Sequence, residues 1–258
     1  GRAGGNYYLA VEYVGGRNVR RIWRRWQREG LLLPIEVSVY LVEQICRALD
    51  HAHDKQDAKG ANLEIIHRDV SPENVMISYT GEVKLIDFGI AKAANRASST
   101  RTGILKGKFA YMSPEQVRGL PLDGRSDIFS AGILLHELLT GRHLFRTDSD
   151  AAMIEMVRNA VVEPPSSSNP LVPRDLDVLV LQALAKDPDE RFPRAGAMAQ
   201  ALASVLSSLG GFSREKLAAF MKRHYLHDME REHQHEQEVL DRIATDSTRL
   251  PTVQSPSS

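Results

Sequence analysis

Two polar triplets separated by a short apolar segment constrain the fold more than any other feature of this sequence. The first triplet is H-R-D at positions 67–69, and the second is D-F-G at positions 87–89. Between them, the apolar run 75–77 and the mostly apolar run 83–86 flank the sequence Tyr-Thr-Gly. Two β-prone runs around a glycine-containing turn predict a β-hairpin, so the ends of the hairpin should lie close together.

The predicted hairpin brings three oxygen-bearing side chains together. Asp69 lies just before the first strand, and Asn74 and Asp87 lie at the paired ends of the two strands. Carboxylate and amide oxygens suit a hard cation such as Mg²⁺, which usually keeps water and phosphate oxygens among its ligands. Each carboxylate alone would be interpreted as a surface or turn residue. The three side chains together indicate a metal-assisted site.

The order of these residues resembles the signature of the protein kinase family. The resemblance implies a mainly α fold with small β-hairpins, namely a protein kinase-like C-lobe preceded by a hinge strand. It implies ATP and Mg²⁺ as cofactors and a protein as substrate. Asp69 would orient the substrate hydroxyl and take its proton, Asn74 and Asp87 would hold the metal, and His67 and Phe88 would pack behind the site.

Residues 7–14 are rich in β-forming residues and end at two glycines, which predicts a buried strand leading into a turn. Without the later motifs, an ordinary core strand would be the preferred interpretation. In the kinase resemblance this strand enters the hinge that binds adenine. The resemblance then makes Val11 the gatekeeper and Glu12 and Val14 the hinge contacts. It makes Asn18 a ribose contact and Met76 the floor of the adenine pocket.

Helical spacing dominates the sequence after the hinge. A short arginine-rich helix is predicted from Asn18 to Glu29, and a longer helix is predicted from Pro34 to about His53. The run from Asp127 to Thr140 is apolar nearly all round, which predicts a helix buried in the middle of the domain. In the family, the first aspartate of this helix, which Asp127 matches, accepts N–H groups of the catalytic loop.

Residues 90–105 are rich in Ser, Thr, Lys and Arg, which predicts a solvent-facing loop. The following G-K-F-A-Y-M-S-P-E resembles the end of a kinase activation segment, with S-P-E where the family usually has A-P-E. The resemblance pairs Glu115 of this motif with Arg191. Such a pair contributes little at a surface and is costly to break when it is buried.

Two residues depart from the pattern of serine/threonine kinases. The family usually carries lysine two positions after the catalytic aspartate, where this chain has Ser71, and threonine where it has Lys108. One hypothesis is that Lys108 supplies the positive charge near the transferred phosphate that Ser71 cannot supply. The alternative is that Lys108 is a solvated loop lysine.

A second hypothesis concerns regulation. Arg68 and Lys92 would form a basic pocket for a phosphate on the activation segment, which would order that segment. The candidate phosphorylation sites are Ser98, Ser99, Thr100 and Thr102. The alternative is that carboxylates or water satisfy both basic residues.

Charge and composition exclude several classes of function. The chain has 33 basic and 33 acidic residues, so no overall field indicates nucleic acid or an anionic membrane as partner. The arginines and tryptophans between residues 18 and 29 could bind nucleic acid or an acidic partner, but a solvated helix face is favoured. No apolar run is long enough to span a bilayer. The single cysteine, Cys46, fits a reducing compartment, so a cytoplasmic location is expected.

The sequence holds no G-x-G-x-x-G loop and no V-A-I-K-type lysine. We therefore expect either a fragment of a longer serine/threonine protein kinase, which is the favoured interpretation, or an inactive pseudokinase that acts as a scaffold. V-S-P-E between Asp69 and Asn74 lacks the arginine usual in tyrosine kinases, and the loop resembles that of bacterial family members. Four units are expected. Residues 1–18 would be the last N-lobe strand and the hinge, and residues 19–212 would be the C-lobe, with the catalytic loop at 65–78 and the activation segment at 87–115. Residues 213–246 would be a charged helical extension, whose helix 213–243 has a possible partner, and residues 247–258 would be a disordered tail.

Overall fold

The computed structural model describes residues 1–3, 6–8, 10–88 and 109–247. The strands form two small antiparallel sheets. In the first sheet, β1 (Arg2–Ala3) pairs with β2 (Asn6–Tyr7). The second sheet has the order β3 (Gly16–Asn18), β4 (Val75–Ser78) and β5 (Val83–Leu85).

Helices make up most of the described chain, which confirms the expected mainly α architecture with small hairpins. Single 3₁₀ turns at Phe109–Tyr111, Pro165–Ser167 and Pro188–Glu190 connect some of them. The α-helices of the described ranges are α1 (Val19–Arg28), α2 (Ile35–His53), α3 (Pro114–Arg118), α4 (Arg125–Thr140), α5 (Asp150–Asn159), α6 (Arg174–Ala183), α7 (Ala195–Ser208) and α8 (Arg214–Ser247).

Helix α4 forms the centre of the core, as its apolar sequence predicts. Every residue from Ser126 to Thr140 is buried, and α4 packs against α2, α6 and α7. Full burial of a side chain such as Phe129 stabilises the fold by roughly 1.5–3 kcal/mol. The helix ends at Gly141, whose φ of 69° is the left-handed conformation that glycine adopts at low cost.

The hairpin predicted between the two polar triplets is present. Val75 lies opposite Leu85 and Ile77 lies opposite Val83 in the antiparallel register. The Ile86 N–H then donates to the Asn74 carbonyl at 2.8 Å, so the polar residues that flank the hairpin meet at its open end. The turn requires a glycine at Gly81, because its φ is 79° and an added Cβ would lie 2.2 Å from the Arg214 carbonyl.

The prediction of a buried strand over residues 7–14 is wrong. Only Asn6–Tyr7 is a strand, and no strand occurs from residue 10 to residue 15. Val11 is 75% exposed and Tyr13 is 61% exposed. A β-prone sequence forms a stable strand only where a neighbour takes up its hydrogen bonds, and no strand in the described ranges pairs with this segment. Gly16, expected in the turn, instead begins β3.

The charged helical extension is also less exposed than its composition suggests. The first half of α8 buries Leu217, Met221 and Tyr225 in the main core, whereas Leu226 is partly exposed. The helix departs from helical geometry at Tyr225, where φ is −131° and ψ is 22°. This kink separates a packed first half from a more polar second half.

Candidate active site

Asp127 fixes the backbone of the segment that precedes the hairpin. Its carboxylate accepts the N–H groups of His67 and Arg68, each at 2.8 Å, and it contacts His53 Nε2 at 2.8 Å. The carboxylate is fully buried at the start of α4, where the positive end of the helix dipole also favours a negative charge. A carboxylate on the central helix therefore holds the H-R-D segment against the core.

Two residues of the site have a backbone conformation that side chains other than glycine rarely adopt. The φ of Arg68 is 65° and the φ of Asp87 is 82°. Such conformations cost about 1–3 kcal/mol each and persist where the surrounding contacts enforce them. Asp127 provides that enforcement at Arg68. The positive φ changes the direction of the backbone within each polar triplet.

His67 joins the two triplets. Its ring packs on the Phe88 ring with centroids 4.6 Å apart. Burial lowers the pKa of His67 below its ordinary value, so the neutral imidazole is favoured. Nδ1 accepts the Asp69 N–H at 3.3 Å, which assigns the proton to Nε2, and Nε2 donates to the Ile86 carbonyl at 3.1 Å. The histidine thus has a structural place between catalytic loop and D-F-G segment.

Asn74 and Asp87 provide the oxygen atoms at the open end of the hairpin. The Asn74 amide nitrogen donates to the Asp69 carbonyl at 2.8 Å, which leaves its amide oxygen as the atom that suits a cation. Asp87 follows Ile86, whose N–H is bonded to the Asn74 carbonyl. No group of three or more His, Cys, Asp or Glu side chains suited to a metal occurs within residues 10–88 and 109–247.

This donor set fits Mg²⁺ rather than a metal that the protein encloses completely. One carboxylate and one amide oxygen leave most of an octahedral shell to water and phosphate oxygens, which is how Mg²⁺ is usually held beside a nucleotide. Asp87 is exposed, so its carboxylate is accessible to a hydrated ion. The residues present therefore fit the cation that the sequence predicts.

Glu115 and Arg191 form a bidentate ion pair. The guanidinium donates to the two carboxylate oxygens at 2.7 and 2.9 Å, and its side chain is fully buried. It also donates to the carbonyls of Ala185 and Arg125 and lies 4.8 Å from the centre of the Phe129 ring. Burial opposes ionisation of Glu115, but hydrogen bonds from Arg191 and Ser126 outweigh it and lower the pKa of the carboxyl group.

The residues assigned to the nucleotide lie on β3, on β4 and in the segment before β3. Asn18 ends β3 opposite Met76 of β4, so these two positions are adjacent in the sheet. Asn18 also caps α1, because its side chain accepts the Arg21 N–H at 3.0 Å. Val11 and Glu12 are exposed, Val14 is half-buried, and Glu12 forms an ion pair with Lys84.

Six residues with expected roles lie outside the described residues. They are the proposed lysine of the active site, the second basic residue of the regulatory pocket and the four candidate phosphorylation sites, namely Lys108, Lys92, Ser98, Ser99, Thr100 and Thr102. Arg68, the other member of the pocket, is described, and its buried Nε has no hydrogen-bond partner within the described chain.

Two carboxylates with several partners were not predicted. Glu137 is fully buried on α4 and accepts the Tyr111 hydroxyl at 2.5 Å and the Leu144 N–H at 3.1 Å. A single acid within an apolar helix was the available signal for it. Glu232 on α8 accepts the Tyr13 hydroxyl at 2.5 Å and has further partners on β3 and the hairpin. Its charged surroundings in the sequence gave no signal.

No helix within the described ranges is both long and apolar enough to cross a membrane.

Comparison with known families gives one match that covers most of the chain. The model described as "Protein kinase domain" matches residues 2–204.

Individual proteins resemble the chain over a similar range. The tyrosine-protein kinase MasK of Myxococcus xanthus is 39% identical over 226 residues, which are 87% of this chain and 35% of MasK. The serine/threonine-protein kinase PknB of Mycobacterium tuberculosis is 40% identical over 201 residues, which are 77% of this chain and 30% of PknB. The chain thus spans about a third of the length of these relatives.

A solved structure supports the same fold. The crystal structure of the Mycobacterium tuberculosis PknI kinase domain matches 75% of this chain and 63% of its own, with a TM-score of 0.54 and 26% identity.

Proposed function

The chain belongs to the protein kinase family, and we propose that the protein it represents transfers the γ-phosphoryl group of ATP to serine or threonine hydroxyls of other proteins. The observation that carries the proposal is the meeting of Asp69, Asn74 and Asp87 around the open end of one hairpin. An interaction scaffold would need none of these three side chains, whereas phosphoryl transfer uses all of them.

Asp69 is the proposed catalytic base. It directly precedes the hairpin, and its backbone is held by Asn74 and by the His67 imidazole. A carboxylate positioned in this way would orient the substrate hydroxyl and accept its proton as the oxygen attacks. The backbone bonds of Asp127 fix the start of the same loop, so α4 positions the base through the H-R-D segment.

Asn74 and Asp87 are the proposed metal ligands. ATP and Mg²⁺, when bound, would supply the phosphoryl group and offset its charge. The protein would contribute the Asp87 carboxylate and the Asn74 amide oxygen, held in register by the bond between Ile86 N–H and the Asn74 carbonyl. Met76, Asn18, Val14, Glu12 and Val11 are the proposed contacts of the nucleoside.

The choice of serine and threonine rests on the catalytic loop. Names of the relatives point both ways, because MasK is named a tyrosine kinase and PknB a serine/threonine kinase. Between Asp69 and Asn74 the chain has Val70, Ser71, Pro72 and Glu73, without the arginine that tyrosine kinases usually carry. Arg20 of α1 pairs with Glu73 of this segment.

Two finer parts of the proposal concern the activation segment. Lys108 would supply the positive charge near the transferred phosphate that the family's usual lysine provides. This chain has Ser71 at the position of that lysine, and Ser71 is buried in the loop. Arg68 and Lys92 would bind a phosphate on Ser98, Ser99, Thr100 or Thr102. The unpartnered Nε of Arg68 supports the second part, because a buried guanidinium donor without an acceptor favours an incoming anion.

Phosphoamino-acid analysis tests the proposal. The protein expressed from its whole reading frame is incubated with radiolabelled ATP, Mg²⁺ and a mixed protein substrate, and the labelled residues are separated. We expect phosphoserine and phosphothreonine. Label on tyrosine alone would overturn the specificity. Absence of label, with retained fold and partner binding, would favour the scaffold.

A further inference from the structure

A large basic cleft lies between α1 and α8, outside the proposed active site. Its volume is about 970 Å³, within the range of ligand-binding sites. Six arginines and two carboxylates are among its lining residues, which leaves an excess of four positive charges. The charged lining residues of this α1–α8 cleft are Arg17, Arg21, Arg24, Arg25, Arg28, Arg231, Asp228 and Glu232.

Three of the six arginines have a partner that accounts for them. Arg17 donates to Glu232 at 2.5 Å and lies 3.4 Å from Asp228. Arg231 donates to Asp228 at 2.5 Å. Arg25 bonds the His224 carbonyl at 2.6 Å and lies over the Tyr225 ring at 4.8 Å. The contacts of Arg17 and Arg25 bind α8 to β3 and α1, and the Arg231–Asp228 pair lies within α8, so all three serve the fold.

The other three arginines have no such account. Arg21, Arg24 and Arg28 are exposed on α1 and form no ion pair with any carboxylate of the described chain. They lie three, four and seven positions apart, so their side chains share one face of the helix. Like charges at this spacing destabilise a helix, and the first turn of α1 has no acidic residue to favour its dipole. The fold does not explain this arrangement.

We propose that the α1–α8 cleft binds a segment of a partner protein that carries a phosphoserine or phosphothreonine, with the phosphate on Arg21, Arg24 and Arg28. A phosphate monoester carries about −1.5 to −2 charges at neutral pH, and its oxygens match the planar fork of guanidinium donors. Two or three neighbouring arginines therefore suit one phosphate better than they suit a singly charged carboxylate.

The opposite wall of the cleft carries no net charge, so it offers nothing to an extended polyanion. Asp228 and Glu232 are partly exposed there, with 23% and 21% of their side chains accessible. Arg17 and Arg231 neutralise these two carboxylates, so a nucleic acid strand or an anionic membrane would gain no attraction along this wall. A peptide with one phosphate can place that group on α1 and its uncharged backbone beside α8. Concave shape and divided charge thus favour a phosphopeptide.

The test measures binding alone, so it is independent of the proposed phosphoryl transfer. Fluorescence anisotropy would follow two labelled peptides, each with and without phosphate. One has the sequence of residues 95–106 with phosphothreonine at Thr100, and the other is a glycine-serine peptide of equal length with one phosphothreonine. Phosphate-dependent binding of both peptides shows that the phosphate suffices without this chain's sequence, as a partner's phosphorylated segment requires. Phosphate-dependent binding of the first peptide alone would assign the cleft to this chain's own segment and overturn the proposal.

The matched variants have the same change of charge. The cleft variant is R21Q/R24Q/R28Q, and the control is R142Q/R146Q/R242Q, whose arginines are exposed elsewhere on the described surface. We expect phosphate to tighten binding about tenfold or more, and the cleft variant to lose that gain while the control keeps it. Fluorescence of the two tryptophans, both on α1, verifies that the variant retains its packing.

Three further outcomes would overturn the proposal. Equal affinity for phosphorylated and unphosphorylated peptides would remove the role of the phosphate. Equal phosphate-dependent affinity in the cleft and control variants would remove the role of α1. Binding to phosphatidylserine vesicles that requires the three arginines, without binding of either phosphopeptide, would assign the cleft to a membrane surface instead.

Discussion

The Tyr13 hydroxyl donates to the Glu232 carboxylate at 2.5 Å, although the two residues are 219 positions apart. The same carboxylate accepts the Arg17 guanidinium at 2.5 Å and the Tyr79 hydroxyl at 2.9 Å. One side chain of α8 thereby connects the segment before β3, β3 itself and the β4–β5 turn. Glu232 thus bonds the helical extension to the expected hinge and to the sheet beside it. We call this set of hydrogen bonds the Glu232 clasp.

Replacing Glu232 by glutamine tests this clasp. The neutral amide keeps the size of the side chain but removes the charge that its three donors share. Hydrogen bonds to a charged group contribute about 1.5–3 kcal/mol, so we expect a loss of that order in the free energy of unfolding. Faster amide exchange in residues 226–247 should accompany it. Glu238→Gln, on the exposed part of α8, serves as the control and should change neither measurement.

Replacing Arg191 by methionine removes one member of a buried ion pair. Glu115 would then remain buried without its counter-charge, which costs about 3–5 kcal/mol. The matched control is Arg174→Met, because Arg174 is 84% exposed and pairs with Asp177 at 3.4 Å. Urea unfolding at neutral pH should show a large loss for the first variant and less than about 1 kcal/mol for the second. Equal losses would contradict the structural role of Arg191.

The stability of the protein should fall in acid partly through Glu115. Its pKa is lower in the folded chain than in the unfolded chain, so its stabilising contribution is complete above the unfolded value of about 4.3. That contribution is lost as the pH falls through the folded pKa. The difference in unfolding free energy between the wild type and Glu115→Gln should therefore be largest above about pH 5 and shrink towards pH 3. A difference independent of pH would contradict this.

Replacing Asp127 by asparagine should loosen the catalytic loop. An amide has one acceptor oxygen where the carboxylate has two, so one N–H of His67 or Arg68 loses its partner. An unsatisfied buried donor costs about 1–3 kcal/mol. We expect amide exchange at these two positions to accelerate, with a smaller effect from Asp123→Asn, which lies in an exposed turn. Unchanged exchange would show that other contacts hold the loop.

Local sequence patterns predicted the parts of the site that lie close together in the chain. The alternation around the turn at Gly81 placed Asn74 and Asp87 at one end of a hairpin, and the apolar run after Asp127 predicted the central helix. The Glu115–Arg191 pair joins residues 76 positions apart, and only the family resemblance proposed it. Periodicity alone carries no information about which distant charges meet.

Two features of the structure could not be predicted from the sequence, for different physical reasons. The strand expected at residues 7–14 has high β-propensity, but a strand depends on a neighbour, and the described chain offers none there. The Glu232 clasp lies beyond the kink at Tyr225, on a helix whose first half packs against α1. Neither the kink nor that packing has a signature in a helix whose second half is charged on all sides.

The rate of phosphoryl transfer in a single variant tests the central claim most directly. The protein expressed from its whole reading frame, with Asp69 replaced by asparagine, should bind ATP and Mg²⁺ like the wild type. Its rate of transfer to serine and threonine should fall by about 10²–10⁴-fold, because the proposed base is lost while the metal ligands Asn74 and Asp87 remain. An unchanged rate would contradict the assignment of Asp69 and the account of the site built around it.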